Sequence, residues 1–351
     1  MPDQKVALVI GATGIVGGNT IRHLDAKDDW QVVGLSRRRP YYESTATFIS
    51  VDLGDAAECR TKLADLDRVT HVFFAGYTDR PSWAEQDAPN LALLVNPLEV
   101  IEPIATGLEH VCSLQGTKAY GSHLGAFKSP AKESDPRHMP PNFYYSQQDY
   151  LIEKSKGKSW SWSCVRPHAV CGHAVGIPMN LVSCIAVYAT ISKELGLPLR
   201  FPGSPITYRS MYMATEAGLL ARAMEWAATT PACADQAFNV VNGDYVRFEH
   251  MWPKFAEFFG MEPGPLQRID LPLMMADKAP LWDEIVRKYD LVPNAYEDMA
   301  HWPFAQYIFN NEWDMMSDMT KCREFGFLDF VDTEQMFLDQ FAELRANRII
   351  P

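Results

Sequence analysis

The stretch Val6-Ala7-Leu8-Val9-Ile10-Gly11-Ala12-Thr13-Gly14-Ile15-Val16-Gly17 decides how the rest of the sequence is read. Five apolar residues in a row suit a strand buried on both faces. Glycines follow at once, and an amphipathic stretch then runs from Gly14 to Leu24. A turn that tight between strand and helix needs residues without Cβ, because the backbone has to approach a pyrophosphate closely. The helix N-terminus adds free N–H groups and a partial positive charge. A glycine triplet alone is a weak signal, but the strand before it and the helix after it disfavour a purely structural turn. Gly11, Thr13, Gly14, Ile15, Val16 and Gly17 are therefore candidate cofactor-binding residues.

Working outward, the first half alternates strand-like runs with helical patterns. The runs are Val6–Ile10, Gln31–Leu35, Thr47–Val51, His71–Ala75, Glu109–Leu114 and Trp162–Val165. Between them lie Asp55–Leu66 and Ala88–Gly107 as amphipathic stretches. This alternation predicts an α/β, Rossmann-like doubly wound parallel sheet with helices on both faces. Residues 1–172 are expected to form it, with a further strand near 237–241. Residues 173–351 are poor in strands and rich in Pro, Met and aromatics, with helical patterns at Met179–Glu194 and Glu216–Ala228. They are expected to form a smaller, mostly helical substrate lobe, partly interleaved with the sheet.

The end of the second strand selects the cofactor. An acidic residue there would bind a ribose 2′-hydroxyl. The sequence instead reads Leu35-Ser36-Arg37-Arg38-Arg39-Pro40. Guanidinium groups bind phosphate through charge-assisted hydrogen bonds, so NADPH is expected, with Ser36, Arg37 and Arg38 around the 2′-phosphate. Asp52, at the end of the third strand, is a candidate for the adenine amine, and equally for a turn or helix cap.

The composition agrees with an enzyme of this kind. The chain has 351 residues, 47% of them apolar, and a formal net charge of -12. That acidic balance disfavours a nucleic-acid partner. No segment offers ~18 uninterrupted apolar residues, so no membrane span is expected, and the first apolar run reads as a strand and not a signal peptide. Seven scattered cysteines without metal or redox spacing suit reduced thiols of a cytoplasmic protein. His168 and His173 lack a carboxylate in register, so no metal is expected. A homodimer is left open.

Two further segments carry the chemistry. Ser113-Leu114-Gln115-Gly116-Thr117-Lys118-Ala119-Tyr120-Gly121 leaves the C-terminal end of the fifth strand, the edge where open parallel sheets bind ligands. Asn142-Phe143-Tyr144-Tyr145-Ser146-Gln147-Gln148-Asp149 starts a plausible helix. The glycine motif is similar to that of the extended short-chain dehydrogenases, which usually carry Tyr-x-x-x-Lys on one helix. Here Gln148 stands where that lysine would be. With the lysine moved onto the loop, the chain resembles the progesterone 5β-reductase and iridoid synthase-like enone reductases. Trp162-Ser163-Cys164-Val165-Arg166-Pro167, Ala237 to Asp244, His250-Met251-Trp252, Met319-Thr320-Lys321 and Gly326 to Phe330 extend the resemblance over most of the chain. It departs from the family in its loop, where glycine and threonine are exchanged and a histidine is missing, and in Gln-Gln-Asp after the tyrosine pair.

The resemblance implies NADPH-dependent 1,4-reduction of an apolar enone, steroid-type enones among the candidates. Hydride arriving at the β-carbon pushes charge onto the carbonyl oxygen, and a phenol aimed at that oxygen stabilises the enolate. A nearby ammonium helps the phenol act as donor. The resemblance assigns these roles to Tyr144 and Lys118, with Lys118 also on the nicotinamide ribose. Tyr145 lies about 100° further round the helix, so the two tyrosines do not share one pocket. Tyr77, Phe127 and Phe330 are the candidates to line the substrate, while Met211, Met213 and Trp302-Pro303-Phe304 suit core packing better. Three rivals stand beside this reading. A carbonyl reductase of the same fold is barely separated by sequence. A non-catalytic NADP-binding redox sensor would lack the tyrosine and lysine. A sugar-nucleotide epimerase would retain Tyr-x-x-x-Lys.

Overall fold

The computed structural model describes residues 4–40, 42–174, 176–177 and 179–351. Its main sheet is built from β1 (Lys5–Ile10), β2 (Trp30–Ser36), β3 (Thr47–Ser50), β4 (His71–Phe74), β5 (His110–Leu114) and β6 (Ser161–Arg166). A separate parallel pair joins β7 (Ala169–Cys171) to β8 (Ala214–Glu216). The seventh strand of the main sheet, β9 (Gln236–Asn239), pairs in parallel with β6, Ser163 opposite Gln236. The spatial order is β3-β2-β1-β4-β5-β6-β9 and every pairing is parallel. The order reverses between β1 and β4, so the ligand crevice is expected beyond the carboxyl ends of those two strands.

The strands are apolar on both sides because both sides are covered. Ala7 and Val9 of β1 face one core, shared with α1 (Ile15–Asp25) and the helix Ala217–Thr229. Val6, Leu8 and Ile10 face the other, shared with α2 (Ala56–Lys62) and α3 (Trp83–Ile104). The helix α3 starts five residues before the expected Ala88. Its start is written in Ser82-Trp83-Ala84-Glu85, a capping box: Ser82 Oγ accepts the Glu85 N–H and donates to Glu85 Oε1. The helix α4 (Phe143–Lys154) packs beside α3 and is capped by Asn142, whose Oδ1 accepts the Tyr144 N–H.

The helix Ala217–Thr229 and β9 lie after residue 172; the helix packs on the sheet and β9 joins it as its edge strand. Glu225 ties this returning helix to α1 and β2. Its carboxylate accepts from His23 Nε2 at 2.7 Å, Lys27 Nζ at 2.5 Å and Trp30 Nε1 at 3.1 Å. The rest of the second half forms its own core around α5 (Leu181–Glu194), buried on every side from Leu181 to Ser192. Phe201, Phe248, Trp252 and Phe309 pack there ring against ring. Among the described residues no helix is long and apolar enough to cross a membrane. All seven cysteines are buried.

Candidate active site

The dinucleotide end of the site is set by close approaches of backbone. Gly11 has φ +88°, and a Cβ placed on it would stand 2.6 Å from the Ala75 carbonyl oxygen, across the crevice from β4. A Cβ on Gly17 would stand 2.2 Å from the Gly11 oxygen. Both positions demand glycine for space, and Gly11 for its backbone angle as well. Gly14 caps α1 without any side-chain hydrogen bond, so the N–H groups of Ile15, Val16 and Gly17 present an uncapped helix terminus. That is the cradle a pyrophosphate fits. Thr13 lies in the turn between Gly11 and α1.

Arg37 and Arg38 follow directly on β2 and are exposed. Arg38 donates to the Gly176 carbonyl at 3.2 Å, which draws its side chain toward the segment after β7. Ser36 is buried, and its hydroxyl donates to the Arg38 carbonyl at 2.5 Å, shaping the turn that carries the arginines. Asp52 is exposed, and its Oδ1 accepts the Gly54 N–H at 2.9 Å, a turn role. The cap of α2 is Asp55.

The lysine loop and the tyrosine helix meet beyond β5. Thr117–Tyr120 form one tight helical turn. Asn142 bridges the two segments: while its Oδ1 caps α4, its Nδ2 donates to the Lys118 carbonyl at 2.9 Å. Gln115 adds a second bridge, donating to the Tyr144 carbonyl at 3.0 Å while its Oε1 accepts from Arg166 at 2.8 Å. Arg166 also donates to the Tyr120 hydroxyl, which donates in turn to Asn239 Oδ1 at 2.6 Å. A buried polar chain thus runs from β9 to the base of the tyrosine helix. Sequence reading missed Asn142, Gln115 and Arg166 as a unit. Only Asn142, an N-cap residue type directly before the helix, carried a local signal.

The two tyrosines are used differently. Tyr145 is buried, its hydroxyl donating to the Ala119 carbonyl at 2.7 Å and accepting the His138 N–H at 2.9 Å. Tyr144 is half-buried, and among the described residues its hydroxyl has no hydrogen bond. A Cβ on Gly116 would stand 3.3 Å from that hydroxyl, so Tyr144 Oη lies over the lysine loop. Burial raises the Tyr144 pKa well above the ordinary phenol value and keeps the group protonated. Lys118 is also half-buried. Burial lowers its pKa, an effect partly offset by the Asp79 carboxylate.

Tyr77 closes this region from the β4 side, donating to Asp79 Oδ1 at 2.8 Å, with its ring 6.0 Å from that of Phe143. Phe127 is half-buried against the core of the second lobe. Phe330 is 79% exposed and stands on a groove with Gly243, Arg323 and Asp332, in the link before the last helix. Trp302 and Met213 are buried core residues. His168 shares a hydrogen bond with Ser317 at 2.8 Å, and His173 lies 3.8 Å from Glu343, so the two have different partners.

A glycine-cradled helix terminus at the sheet's switch point, with a tyrosine and a lysine beyond β5, defines an oxidoreductase of the short-chain dehydrogenase type that takes a nicotinamide cofactor. Comparison with known proteins narrows the class. The family pattern of the PRISE-like Rossmann-fold domain matches residues 50–351, and the chain belongs to this family. It is 35% identical over 366 residues to an (S)-8-oxocitronellyl enol synthase of Camptotheca acuminata, covering 99% of this chain and 94% of that protein. It is 36% identical over 370 residues to a 3-oxo-Delta(4,5)-steroid 5-beta-reductase of Arabidopsis thaliana, with the same coverage of 99% and 94%. Solved structures share the fold at low identity. The UDP-glucose 4-epimerase of Thermotoga maritima superposes with a TM-score of 0.68 at 16% identity, over 97% of this chain and 99% of that one. The Bordetella bronchiseptica enzyme WbmG, solved with NAD, gives 0.68 at 16% identity over 99% and 96%.

Proposed function

We propose that the protein reduces the C=C bond of α,β-unsaturated carbonyl compounds with NADPH. The observation that carries this reading is the Tyr144 hydroxyl, which has no protein partner among the described residues and lies over the lysine loop, while the adjacent Tyr145 hydroxyl is fully engaged. When bound, the reduced dinucleotide supplies a hydride to the β-carbon of the enone. The phenol of Tyr144, kept protonated by its burial, donates to the carbonyl oxygen as charge builds there. Lys118 contributes a cationic head beside the same loop, and an ammonium there favours charge on the oxygen. Gly11, Gly14 and Gly17 let the turn close tightly so that the uncapped N-terminus of α1 faces the pyrophosphate, and Ser36, Arg37 and Arg38 form the 2′-phosphate end. The relatives' names, an enol synthase and a steroid reductase, support an apolar enone as substrate. Seven buried cysteines, scattered and without metal or redox spacing, support a reducing compartment, the cytoplasm.

The experiment that tests this is a product analysis. The purified protein is incubated with NADPH and 2-cyclohexen-1-one, and the products are identified by mass and NMR. Saturated ketone is expected. Allylic alcohol would place the enzyme among direct carbonyl reductases, and no NADPH consumption with this or bulkier enones would leave a redox sensor.

A further inference from the structure

Lys118 is seated in an unusual way for a partly buried ammonium. Among the described residues its Nζ has no hydrogen-bond acceptor and no carboxylate at ion-pair distance. A buried cation ordinarily requires such a partner. What it has is the face of Trp83, with Nζ 4.8 Å from the ring centroid, inside cation–π range. The remaining charged group that acts on it is Asp79, held by Tyr77 Oη at 2.8 Å and Gln86 Nε2 at 3.0 Å. Asp79 is exposed, so water and salt screen its attraction, whereas the indole face is in place at contact range.

Trp83 is itself held on several sides. It is the first residue of α3, behind the Ser82 cap. Its ring stacks parallel to Phe143 at 5.7 Å and 5°, and His123 packs against it tilted, at 4.0 Å and 39°. Phe143 in turn meets the ring of Tyr144 edge-on at 4.4 Å. One continuous run of aromatic contacts, stacked and then edge-on, therefore connects the lysine on the loop to the phenol on α4. Burial first, then Lys118 and His138, push the His123 pKa down to about 4, so the imidazole beside this stack is neutral near pH 7 and adds no positive charge against the ammonium.

We propose that Trp83 is a positioning residue of the site: its indole face seats the Lys118 ammonium and, through the stack on Phe143, holds it in a defined relation to the Tyr144 phenol. This rests on the assignment of Lys118 and Tyr144 as the reacting pair. A residue in the opening of α3 thereby does what a carboxylate would do elsewhere, and leaves the acceptor-free ammonium available to a ligand.

The test reads the lysine itself as well as turnover. The full-length protein and the variants Trp83→Leu, Trp83→Met and Trp83→Phe are labelled with acetic anhydride from about pH 7 to 11, bracketing the ordinary lysine range. The extent of acetylation at Lys118 is read from its tryptic peptide by mass spectrometry, with melting curves to establish folding. Loss of the ring should move the Lys118 labelling midpoint down by about half a pH unit or more and lower kcat with 2-cyclohexen-1-one about tenfold. Trp83→Phe, which keeps a π face, should restore most of both. A folded Leu or Met variant with the wild-type midpoint overturns the proposal, even if enone reduction is confirmed. A shifted midpoint, rescued by Phe, in a protein that reduces no enone would uphold the seat for Lys118 and sink only the proposed reaction.

Discussion

The pair Tyr144→Phe and Tyr145→Phe separates chemistry from scaffolding within two adjacent residues. Removing the Tyr144 hydroxyl deletes no hydrogen bond of the described protein, so the fold has nothing to lose. It deletes the donor aimed at the developing oxyanion, a loss expected to cut kcat about 10²–10³-fold. Removing the Tyr145 hydroxyl does the opposite. It leaves the Ala119 carbonyl, bonded at 2.7 Å, and the His138 N–H, bonded at 2.9 Å, without their partner. Leaving such groups unsatisfied costs about 1–3 kcal/mol. For a chain of 351 residues, at about 2.1 cal/mol/K per residue, that lowers Tm by about 1–4 °C. The assays are steady-state kinetics with product quantification and thermal melting, run on both variants. Tyr144→Phe should be slow and stable, and Tyr145→Phe less stable with kcat within a few-fold of wild type. A slow, normally stable Tyr145→Phe beside an active Tyr144→Phe would refute the reasoning.

Three further outcomes follow from the geometry. Changing Arg37 and Arg38 together to alanine should raise KM for NADPH far more than for NADH, and equal effects would remove the arginines from the 2′-phosphate. Gly17→Ala places a Cβ 2.2 Å from the Gly11 oxygen, so the turn must open; dinucleotide affinity, measured by titration calorimetry, should drop at least tenfold, and a wild-type affinity would show that the turn is not the binding site. Burial alone would raise the Glu225 pKa, but hydrogen bonds from His23, Lys27 and Trp30 outweigh it and hold the carboxylate near 2. A carboxylate depressed in the folded state stabilises fully above its unfolded value of about 4.5 and loses that contribution as pH falls toward 2. Glu225→Gln should therefore cost on the order of 2–3 kcal/mol at pH 7 in denaturant titrations and progressively less below pH ~4.5; a penalty that does not shrink in acid would contradict the linkage.

The first strand, the glycine turn and the alternating pattern were legible because each is local. A strand buried on both faces has to be apolar throughout, and a backbone that approaches another backbone to within a Cβ's reach has to be glycine. β9 could be expected near 237–241 for the same reason, and it forms at Gln236–Asn239. The start of α3 was equally written in the chain, in the Ser82 and Glu85 capping box, yet the hydrophobic pattern alone begins later. Lys118 and Tyr144 could be singled out by their segments and by family resemblance.

What tertiary structure decided is everything that depends on which distant groups face each other. In sequence only the family resemblance favoured Tyr144 over Tyr145. They separate because α4 turns one phenol toward the Ala119 carbonyl and the other over Gly116. The polar chain from Asn239 through Tyr120 and Arg166 to Gln115 joins residues from three strands' ends, and no spacing rule announces it. Phe330, an aromatic in a family-like segment, is 79% exposed on a groove with Gly243 and Arg323, an exposure that no spacing rule states. Trp83 lies before the stretch that the hydrophobic pattern marks as helical, and only the packing of α3 against α4 brings its face beneath Lys118. Periodicity and turn chemistry are short-range constraints that one stretch of chain can state by itself. A hydrogen bond or a stacked ring between segments tens of residues apart exists only once the sheet has brought its carboxyl ends together.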